Sequence, residues 1–561
     1  MMFKKCLALL TALLTLFSTA LAAEVSPDAL LTKVGDYSQY GAGDMTPYEE
    51  PLEVSLGISI NLSRAFPDGD GYENNVWSRY FQDKLNINLK LAFTTSDLTD
   101  KVNSIIATGD LPDVLQVTAD QLKMLSSAGL IRDDIYEVYD QHAGSAIRQL
   151  VQGFDESAVI EGCTFDGKMM ALPILNASPG EKAVVVWIRK DWLDNLGMEL
   201  PKNYADLRAI MEAFTKNDPD GNGVDDTTGL VFCKGMWNQH FRMDGFFNIF
   251  GAFPYQGYWV SDPQDESRAV YGAFQPEVKA ALQELNSLYQ EGILDNDFAI
   301  YDENTAKAVV CSGQCGVVFA GAYSPNTFLY ASVENDPNAD WVAVPVPGLE
   351  SETTPVTAML PIRSYLVFRK DFEHPEAVFK MINAYYDLCY SEDTTQETYD
   401  TYVSTSQGNS SYTSFSIYPW GYFQPVFQNE RSALYINSGV KSTDPALPSF
   451  ARSFADGVER YEAGDRTMWR WYRFFGPQSG HMITSRYINE GLYAYNRWYG
   501  PSTDTMSENM SLVYDLVQEM ILKIIMGQES IDAFEGYRDT AYALGLDMIT
   551  DEVNAWLAEH E

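Results

Sequence analysis

The feature that most constrains the fold is the alternation of short apolar strands with amphipathic helices along the chain. Residues 52–60 (LEVSLGISI) alternate apolar and polar side chains after a proline, which predicts a first strand. A helical pattern follows, INLKLAF predicts a second strand, and an aspartate-capped helix leads to a third strand at 114–117. Strands and helices that alternate in this way predict an α/β lobe with a mostly parallel sheet.

The same alternation returns further along the chain. Residues 183–188 (AVVVWI) form a β-branched apolar run, and a helical pattern begins at about 190. The stretch PEVKAALQELNSLYQEG predicts a helix with Pro276 in its first turn and an end at Gly292. The C-terminal region predicts three more helices. Because 561 residues are too many for one ordinary core, we expect two domains.

The first 22 residues have the pattern of a secretory signal peptide. Two lysines precede an apolar run over 7–17, and small residues (ALA) stand at 20–22. This run is too short to span a bilayer, and no later run approaches about 18 apolar residues, so we expect no membrane insertion. No cysteine stands at the cleavage point. We therefore expect a secreted, periplasmic or cell-envelope protein without a lipid anchor, in which residues 23–50 form a linker.

The formal net charge of −40 restricts the partners of the protein. A surface this negative repels phosphate backbones and anionic headgroups, which argues against nucleic acid and membrane surfaces. A polyanionic ligand is disfavoured as well, unless a local basic cleft overrides the overall charge.

A dense group of oxygen-bearing side chains lies in FTKNDPDGNGVDDTTGL (214–230), directly after a predicted helix. Side chains at the first, third, fifth and ninth positions of the loop carry oxygen, and the seventh offers a backbone carbonyl. Hard oxygen donors in this order form an EF-hand loop and suit Ca²⁺. The candidate ligands are Asp218, Asp220, Asn222, Val224 and Asp226.

The loop is half of an EF-hand at most, because Gly229 replaces the usual glutamate at the twelfth position. A polar turn without metal is the alternative. Three clustered carboxylates would repel one another without a cation, which favours a structural calcium ion. We do not expect catalysis at this site, because the ion would be fully surrounded and no histidine accompanies it.

Four segments resemble family 1 extracellular solute-binding proteins of ABC importers, in the branch that handles oligosaccharides. They are residues 184–230, IIATGDLPDVLQV, YGPSTDTM and IIMGQESIDAFEGYRDTAYALGLDMITDEVNAWL. These segments are spread over nearly the whole mature chain. The resemblance implies a two-lobe, periplasmic-binding-protein-like type II α/β fold with a ligand cleft between the lobes. It places the N-terminal lobe at 51–182 plus 358–395 and the C-terminal lobe at 183–357 plus 396–561.

The resemblance also implies site residues. It assigns calcium to the five loop positions above, although relatives often carry a further carboxylate where this chain has Thr227. It implies that four residues contact the ligand: Thr118, Asp120, Trp237 and Tyr323.

Aromatic residues are abundant, with 34 Tyr, 29 Phe and 11 Trp. Sugar rings have apolar faces that stack on aromatic rings, and their hydroxyls need polar side chains at the ring edges. Most of these aromatic rings nevertheless belong to a core. Segments that interleave aromatic and polar residues add four candidates from local composition alone: Trp420, Trp471, Arg473 and Trp498.

We therefore expect a monomeric, non-catalytic receptor that captures an oligosaccharide and delivers it to the permease subunits of an ABC importer. Two alternatives stay open at this point. One is a secreted glycan-active hydrolase with paired carboxylates. The other is the same binding fold specific for peptides or another solute. The sequence contains no Gly-x-Ser-x-Gly, His-Glu-x-x-His or Walker motif and only five histidines, which disfavours an enzyme.

Overall fold

The computed structural model describes residues 26–560, apart from 61–65, 154–155, 239, 360–361, 404, 408–409 and 413–416. The predicted signal peptide at 1–22 and the first residues of the predicted linker therefore lie outside the described residues. Within the described residues, no helix has both the length and the apolar character that crossing a bilayer requires.

The strands occur in two main sheets and four two-stranded pairs among the described residues. In chain order they are β1 (Leu52–Ser59), β2 (Ile87–Thr95), β3 (Val114–Val117), β4 (Thr164–Phe165), β5 (Lys168–Met169), β6 (Leu172–Leu175), β7 (Val184–Arg189), β8 (Thr228–Leu230), β9 (Trp259–Asp262), β10 (Asp265–Tyr271), β11 (Cys315–Gly321), β12 (Trp341–Val344), β13 (Val356–Ala358), β14 (Ile362–Phe368), β15 (Thr405–Gln407), β16 (Ser410–Tyr412) and β17 (Tyr493–Tyr495).

Helices cover both main sheets and form the region between and after them. The α-helices are Pro27–Leu31, Val76–Leu85, Leu98–Thr108, Ala119–Ser127, Ile135–His142, Ser145–Gly153, Glu156–Glu161, Lys190–Leu196, Tyr204–Lys216, Met243–Ile249, Pro276–Gln290, Glu303–Cys311, Tyr330–Asn335, Glu376–Tyr390, Gln396–Tyr402, Gln428–Asn437, Ser449–Glu462, Trp469–Phe475, Gly480–Glu490, Asp504–Ile525, Phe534–Ala541 and Asp547–His560.

Local signals in the sequence set several helix ends. Asp97 accepts a hydrogen bond from the Asp100 amide at the start of helix Leu98–Thr108. Gly109 ends that helix in the left-handed region, with φ at 73°. Pro276 occupies the first turn of helix Pro276–Gln290, and the three predicted C-terminal helices are present.

The first lobe contains a five-stranded sheet in the order β2-β1-β3-β14-β6. β1 pairs in parallel with β2 and β3, whereas β14 is antiparallel to both of its neighbours. The prediction of a mostly parallel sheet is thus confirmed, with β14 as the exception. β14 runs the other way because it enters this lobe from the second lobe.

The second lobe contains a four-stranded sheet in the order β12-β7-β11-β8. β7 is completely buried along its length, as its β-branched run predicts. β11 lies so close to the neighbouring helices that a Cβ on Gly316 would stand 2.3 Å from the Phe214 ring and 2.6 Å from the Trp192 ring. A glycine is therefore required there for the helices to pack on the sheet.

Two large hydrophobic cores lie among the described residues, one beside each main sheet. Tyr399, Trp420 and Phe450 belong to the first-lobe core, although 396–561 was expected to lie in the C-terminal lobe. Leu30 and Val34 also belong to this core, so the described part of the predicted linker packs on the first lobe. The apolar side chains of these segments are buried where they reduce exposed apolar area most, whatever their distance along the chain.

In the described residues the chain passes between the lobes three times. The passages run from β6 to β7, from β13 to β14, and through the helical region 458–492. β13 and β17 pair in parallel beside these passages. The five described cysteines outside the predicted signal are all free thiols.

Candidate functional site

The topology places the ends of several strands at the edge where each lobe meets the connections. β14 begins directly after a connection and is antiparallel to β3, so Thr118 follows β3 at this edge of the first lobe. β7 begins after another connection, and antiparallel β11 ends beside its start. Tyr323 follows β11 and lies at the corresponding edge of the second lobe. We call these two edges, one on each lobe where the strands meet the connections, the facing edges. In open α/β sheets, ligands bind outside the carboxyl ends of strands.

The facing edge of the second lobe carries a compact aromatic and polar cluster. The rings of Trp237 and Tyr255 lie 5.7 Å apart, and the Tyr255 hydroxyl donates to the Trp237 carbonyl at 3.3 Å. Arg242 lies over the Tyr255 ring at 5.5 Å. The backbone amide of Arg242 donates to the Phe319 carbonyl of β11, which ties the cluster to the sheet. Trp237, Arg242 and Tyr255 thus form one preformed surface.

A buried ion pair fixes this cluster. The Arg242 guanidinium donates two hydrogen bonds to Asp244, at 2.8 and 2.7 Å. Arg242 is 7% exposed and Asp244 is fully buried. Burial opposes the charge of Arg242, but Asp244 raises its pKa above the ordinary value. The two hydrogen bonds hold the Arg242 guanidinium and the Asp244 carboxylate rigidly, and the opposite charges compensate one another.

Tyr323 and Trp471 contact the same small hydrophobic cluster, which is built around Phe474 and Phe475. The Trp471 ring stacks at 6.2 Å on Phe475. Burial raises the pKa of Tyr255, and Arg242 also interacts with Tyr323. The structure therefore places Tyr323 and Trp471 on one small cluster, whereas Trp237 lies in the aromatic cluster around Tyr255.

The facing edge of the first lobe is more exposed. Thr118 is the N-cap of helix Ala119–Ser127, and its hydroxyl accepts from the Gln121 amide at 3.3 Å. Asp120 accepts a hydrogen bond from the Ser502 amide at 3.1 Å. Lys123 donates to the Ser502 carbonyl at 2.9 Å. In this structure Asp120 thus joins the two lobes.

Three candidates chosen from local composition have other partners in the structure. Trp420 is 1% exposed and packs in the first-lobe core, so no face of its ring is open to a ligand. Arg473 donates two hydrogen bonds to Asp340, at 3.0 and 2.6 Å, and is 6% exposed. Trp498 packs against Trp556 of the C-terminal helix, with ring centroids 5.0 Å apart. Each of these three side chains thus has a packing or ion-pair partner within the protein.

Sequence reasoning missed Arg242, Asp244 and Tyr255. They lie inside the stretch MWNQHFRMDGFFNIFGAFPYQGYW, whose composition indicated a site without indicating which residues form it. An Arg-x-Asp pair beside a tryptophan is the available signal. It becomes informative only when the fold shows that both side chains are buried.

The aspartate-rich loop follows helix Tyr204–Lys216, as predicted. The Asp218 carboxylate accepts from the Gly223 amide at 3.0 Å, and Asp218 has a positive φ of 47°. Burial raises the pKa of Asp220, and the nearby carboxylates Asp218 and Asp226 raise it further. The loop therefore gathers negative charge that a cation would stabilise.

The amide nitrogen of Asn222 lies between two of these carboxylates. It donates to Asp220 at 2.8 Å and to Asp226 at 3.3 Å. Among the described residues, no group of three or more His, Cys, Asp or Glu side chains is arranged to hold a metal ion. The donor set suits calcium, but a bound ion would require Asn222 to present its amide oxygen instead. The hydroxyl of Thr227 donates to the Phe214 carbonyl at 2.7 Å, so this side chain turns away from the loop centre.

A buried carboxylate lies where the connections meet. Glu430 is fully buried and accepts from the hydroxyls of Ser178 and Thr484, each at 3.0 Å. A Cβ on Gly180 would stand 2.3 Å from this carboxylate. Burial opposes the charge, but His481 lowers the pKa of Glu430 below the ordinary value. Glu430 thus joins the first connection to helix Gly480–Glu490.

Solved structures share this architecture over nearly its full length. The alginate-binding protein AlgQ2, in a crystal structure without calcium ion, is 16% identical with a TM-score of 0.56, and the match covers 92% of this chain and 100% of that one. The FusA EF-hand mutant of S. pneumoniae in complex with fructo-nystose is 16% identical with a TM-score of 0.55, over 91% and 99%. Identity at this level shows the fold alone, and it confirms the two-lobe type II fold.

Comparisons of the sequence identify relatives and a family in addition to the fold. The polygalacturonan/rhamnogalacturonan-binding protein YtcQ of Bacillus subtilis (strain 168) is 28% identical over 242 residues, which cover 41% of this chain and 44% of that protein. The chain thus matches less than half the length of this relative. Residues 78–387 match the family model described as bacterial extracellular solute-binding protein. Because this match covers more than half of its residues, the chain belongs to the family of bacterial extracellular solute-binding proteins.

Proposed function

We propose that this protein is a non-catalytic extracellular receptor that captures an oligosaccharide between its lobes and delivers it to the permease subunits of an ABC importer. The observation that carries the proposal is the preformed cluster of Trp237, Tyr255 and the Arg242–Asp244 pair at the facing edge of the second lobe. We also propose that the protein acts as a monomer.

The chemistry of this cluster suits a sugar ring. Trp237 is half-buried, and its exposed part is an apolar aromatic surface of the kind on which the C–H groups of a pyranose stack. The polar edges of Tyr255 and Tyr323 supply hydrogen-bonding groups for sugar hydroxyls. Because the ion pair beside them is rigid, little side-chain entropy is lost on binding. The names of YtcQ and AlgQ2, which both refer to polysaccharide binding, support the same class of ligand.

Isothermal titration of the secreted protein against a panel of plant, bacterial and host oligosaccharides tests this proposal. We expect heat from at least one sugar, and no heat from short peptides of similar length. Binding of a peptide alone would favour the alternative in which the same fold serves another solute. Binding of no sugar in the panel would contradict the proposal.

A hydrolase is the other alternative, and it has a separate test. We expect an oligosaccharide that binds to be recovered intact, because the carboxylates of the second-lobe site are engaged, as with Asp244 in its pair with Arg242. Reducing ends are measured after prolonged incubation of the bound sugar with the protein. New reducing ends that disappear in the Trp237→Ala variant would contradict a non-catalytic role.

We also propose that the loop binds one structural Ca²⁺ through Asp218, Asp220, Asn222, Asp226 and the carbonyl of Val224. The charge gathered at Asp220 supports this, since a cation would relieve the repulsion among the carboxylates. Thr227 points inward and does not contribute. Water or Asp225 would have to complete the coordination, so we expect weaker binding than in a loop with a further carboxylate.

A further inference from the structure

Arg363 lies at an irregularity in the first-lobe sheet, close to the connections. The register between β14 and β6 shifts between Ile362 and Ser364, so Arg363 is an extra residue without a partner across the ladder. Bulges of this kind redirect a side chain and are common beside binding sites. Tyr365 pairs with Val117, the last residue of β3. Arg363 therefore lies two residues further toward the facing edge, level with the segment after Thr118.

The Arg363 side chain is exposed but held in place. Its guanidinium lies 4.1 Å from the centre of the Tyr422 ring and donates to the Tyr422 hydroxyl at 3.3 Å. Tyr422 ends the short helical turn Pro419–Tyr422, which is anchored in the first-lobe core through Trp420. Stacking on an aromatic ring orients the guanidinium and leaves its remaining N–H donors available.

The charge of Arg363 is not neutralised by the protein. None of the described carboxylates lies within 4.0 Å of its guanidinium, although the chain has 78 acidic and only 38 basic residues. The other arginines of the candidate site differ in this respect, because Arg242 is paired with Asp244 and Arg473 with Asp340. In a chain this acidic, an oriented arginine without a carboxylate at the facing edge is suited to an anionic partner.

We infer that Arg363 binds an anionic group of the ligand, and that the protein prefers oligosaccharides containing a uronic acid to neutral ones of the same length. This inference rests on the proposed function. A carboxylate matches the planar guanidinium in a two-bond geometry. A sulfate ester would offer similar oxygens, so it is the second source of the same chemistry. Salt screens the negative charges of the protein that lie more than about 10 Å away. These charges therefore do not prevent an anionic group from contacting Arg363.

The test is titration with three sets of oligosaccharides of matched length: uronic acid oligomers, sulfated oligomers and neutral oligomers. We expect the uronic acid set to bind most tightly. Arg363→Gln should weaken uronic acid binding about tenfold, as expected for a lost hydrogen bond to a charged group, and change neutral binding less than about twofold. Arg363→Lys should restore only part of the affinity, because it keeps the charge without the planar fork.

Lys90→Gln is the matched control, since it removes one exposed positive charge from the middle of β2 in the same sheet. We expect it to leave all three affinities within about twofold. Stronger binding of the sulfated set than of the uronic acid set would show that Arg363 prefers a sulfate ester, and it would overturn the preference for uronic acids. Equal or tighter binding of neutral sugars, or an Arg363→Gln variant that loses all three sets equally, would overturn the inference while leaving the proposed function intact. Binding of no sugar would contradict both.

Discussion

The two facing edges are built in different ways. The second-lobe edge is aromatic, largely buried and electrically neutral, because Arg242 and Asp244 neutralise one another. The first-lobe edge is exposed and carries Thr118, Asp120 and the unneutralised Arg363. Under the proposed function we expect the two lobes to contact a ligand differently: the second lobe through a stacking surface, and the first through polar and charged contacts.

The largest effect should come from breaking the buried pair of the second-lobe edge. Asp244→Ala leaves the Arg242 charge buried without a partner, which should lower the free energy of unfolding by about 3–5 kcal/mol. Urea unfolding followed by tryptophan fluorescence measures this change. Asp504→Ala is the control, because that carboxylate is 98% exposed and pairs with Lys123 at 3.2 Å, so a change within about 0.5 kcal/mol is expected. Equal effects of the two variants would refute a structural role for the pair.

Calcium should stabilise the second lobe and leave the first unchanged, since the loop lies in the second. At a free concentration 100 times Kd, the expected stabilisation is about 2.7 kcal/mol. Thermal unfolding with calcium and with chelator measures it, and hydrogen exchange assigns it to a lobe. Asp220→Asn should abolish the response, whereas Asp371→Asn, at a 79% exposed first-lobe carboxylate, should retain it. A response that persists in Asp220→Asn would place the ion elsewhere.

Removal of the stacking surface should weaken ligand binding without unfolding the lobe. Trp237→Ala should cost about 1–3 kcal/mol of binding free energy in titration calorimetry, because an aromatic contact with the sugar face is lost. Tyr136→Ala serves as the comparison, since Tyr136 is 50% exposed on a first-lobe helix away from the facing edge. An unchanged affinity in Trp237→Ala would remove this ring from the site.

The smallest effect should come from Asp120. Its carboxylate accepts one backbone hydrogen bond from Ser502, and an asparagine oxygen can accept the same bond. Asp120→Asn should therefore change the affinity by less than about 1 kcal/mol, as for other exposed polar contacts. A tenfold or greater loss in titration calorimetry would instead make Asp120 a ligand-binding residue, as the family resemblance implies.

The sequence predicted the local elements well, because their causes are local. The apolar run of β7, the Asp97 cap and Pro276 in a first turn each act within a few residues. The family resemblance named Trp237 and Tyr323 as candidates, and both lie in the second lobe in the structure. These features follow from periodicity, capping and motif position alone.

The contacts of several site candidates involve residues that are distant in the chain. Trp420 is buried by Phe81, with ring centroids 6.0 Å apart, and these residues are far apart in the chain. Arg473 forms an ion pair with Asp340, which lies directly before β12. No pattern within one segment predicts such partners, so composition could not separate core aromatics from site aromatics. The buried Glu430 is a similar case, since Ser178 and Thr484 come from separate segments.

Small-angle X-ray scattering with and without a saturating oligosaccharide shows whether the two lobes close on a sugar, and analysis of the recovered sugar shows whether it has been altered. We expect the radius of gyration to fall on binding and the sugar to be recovered with its chain length unchanged. Tight binding with an unchanged scattering curve would contradict closure of the lobes. Recovery of shorter sugars would contradict a receptor.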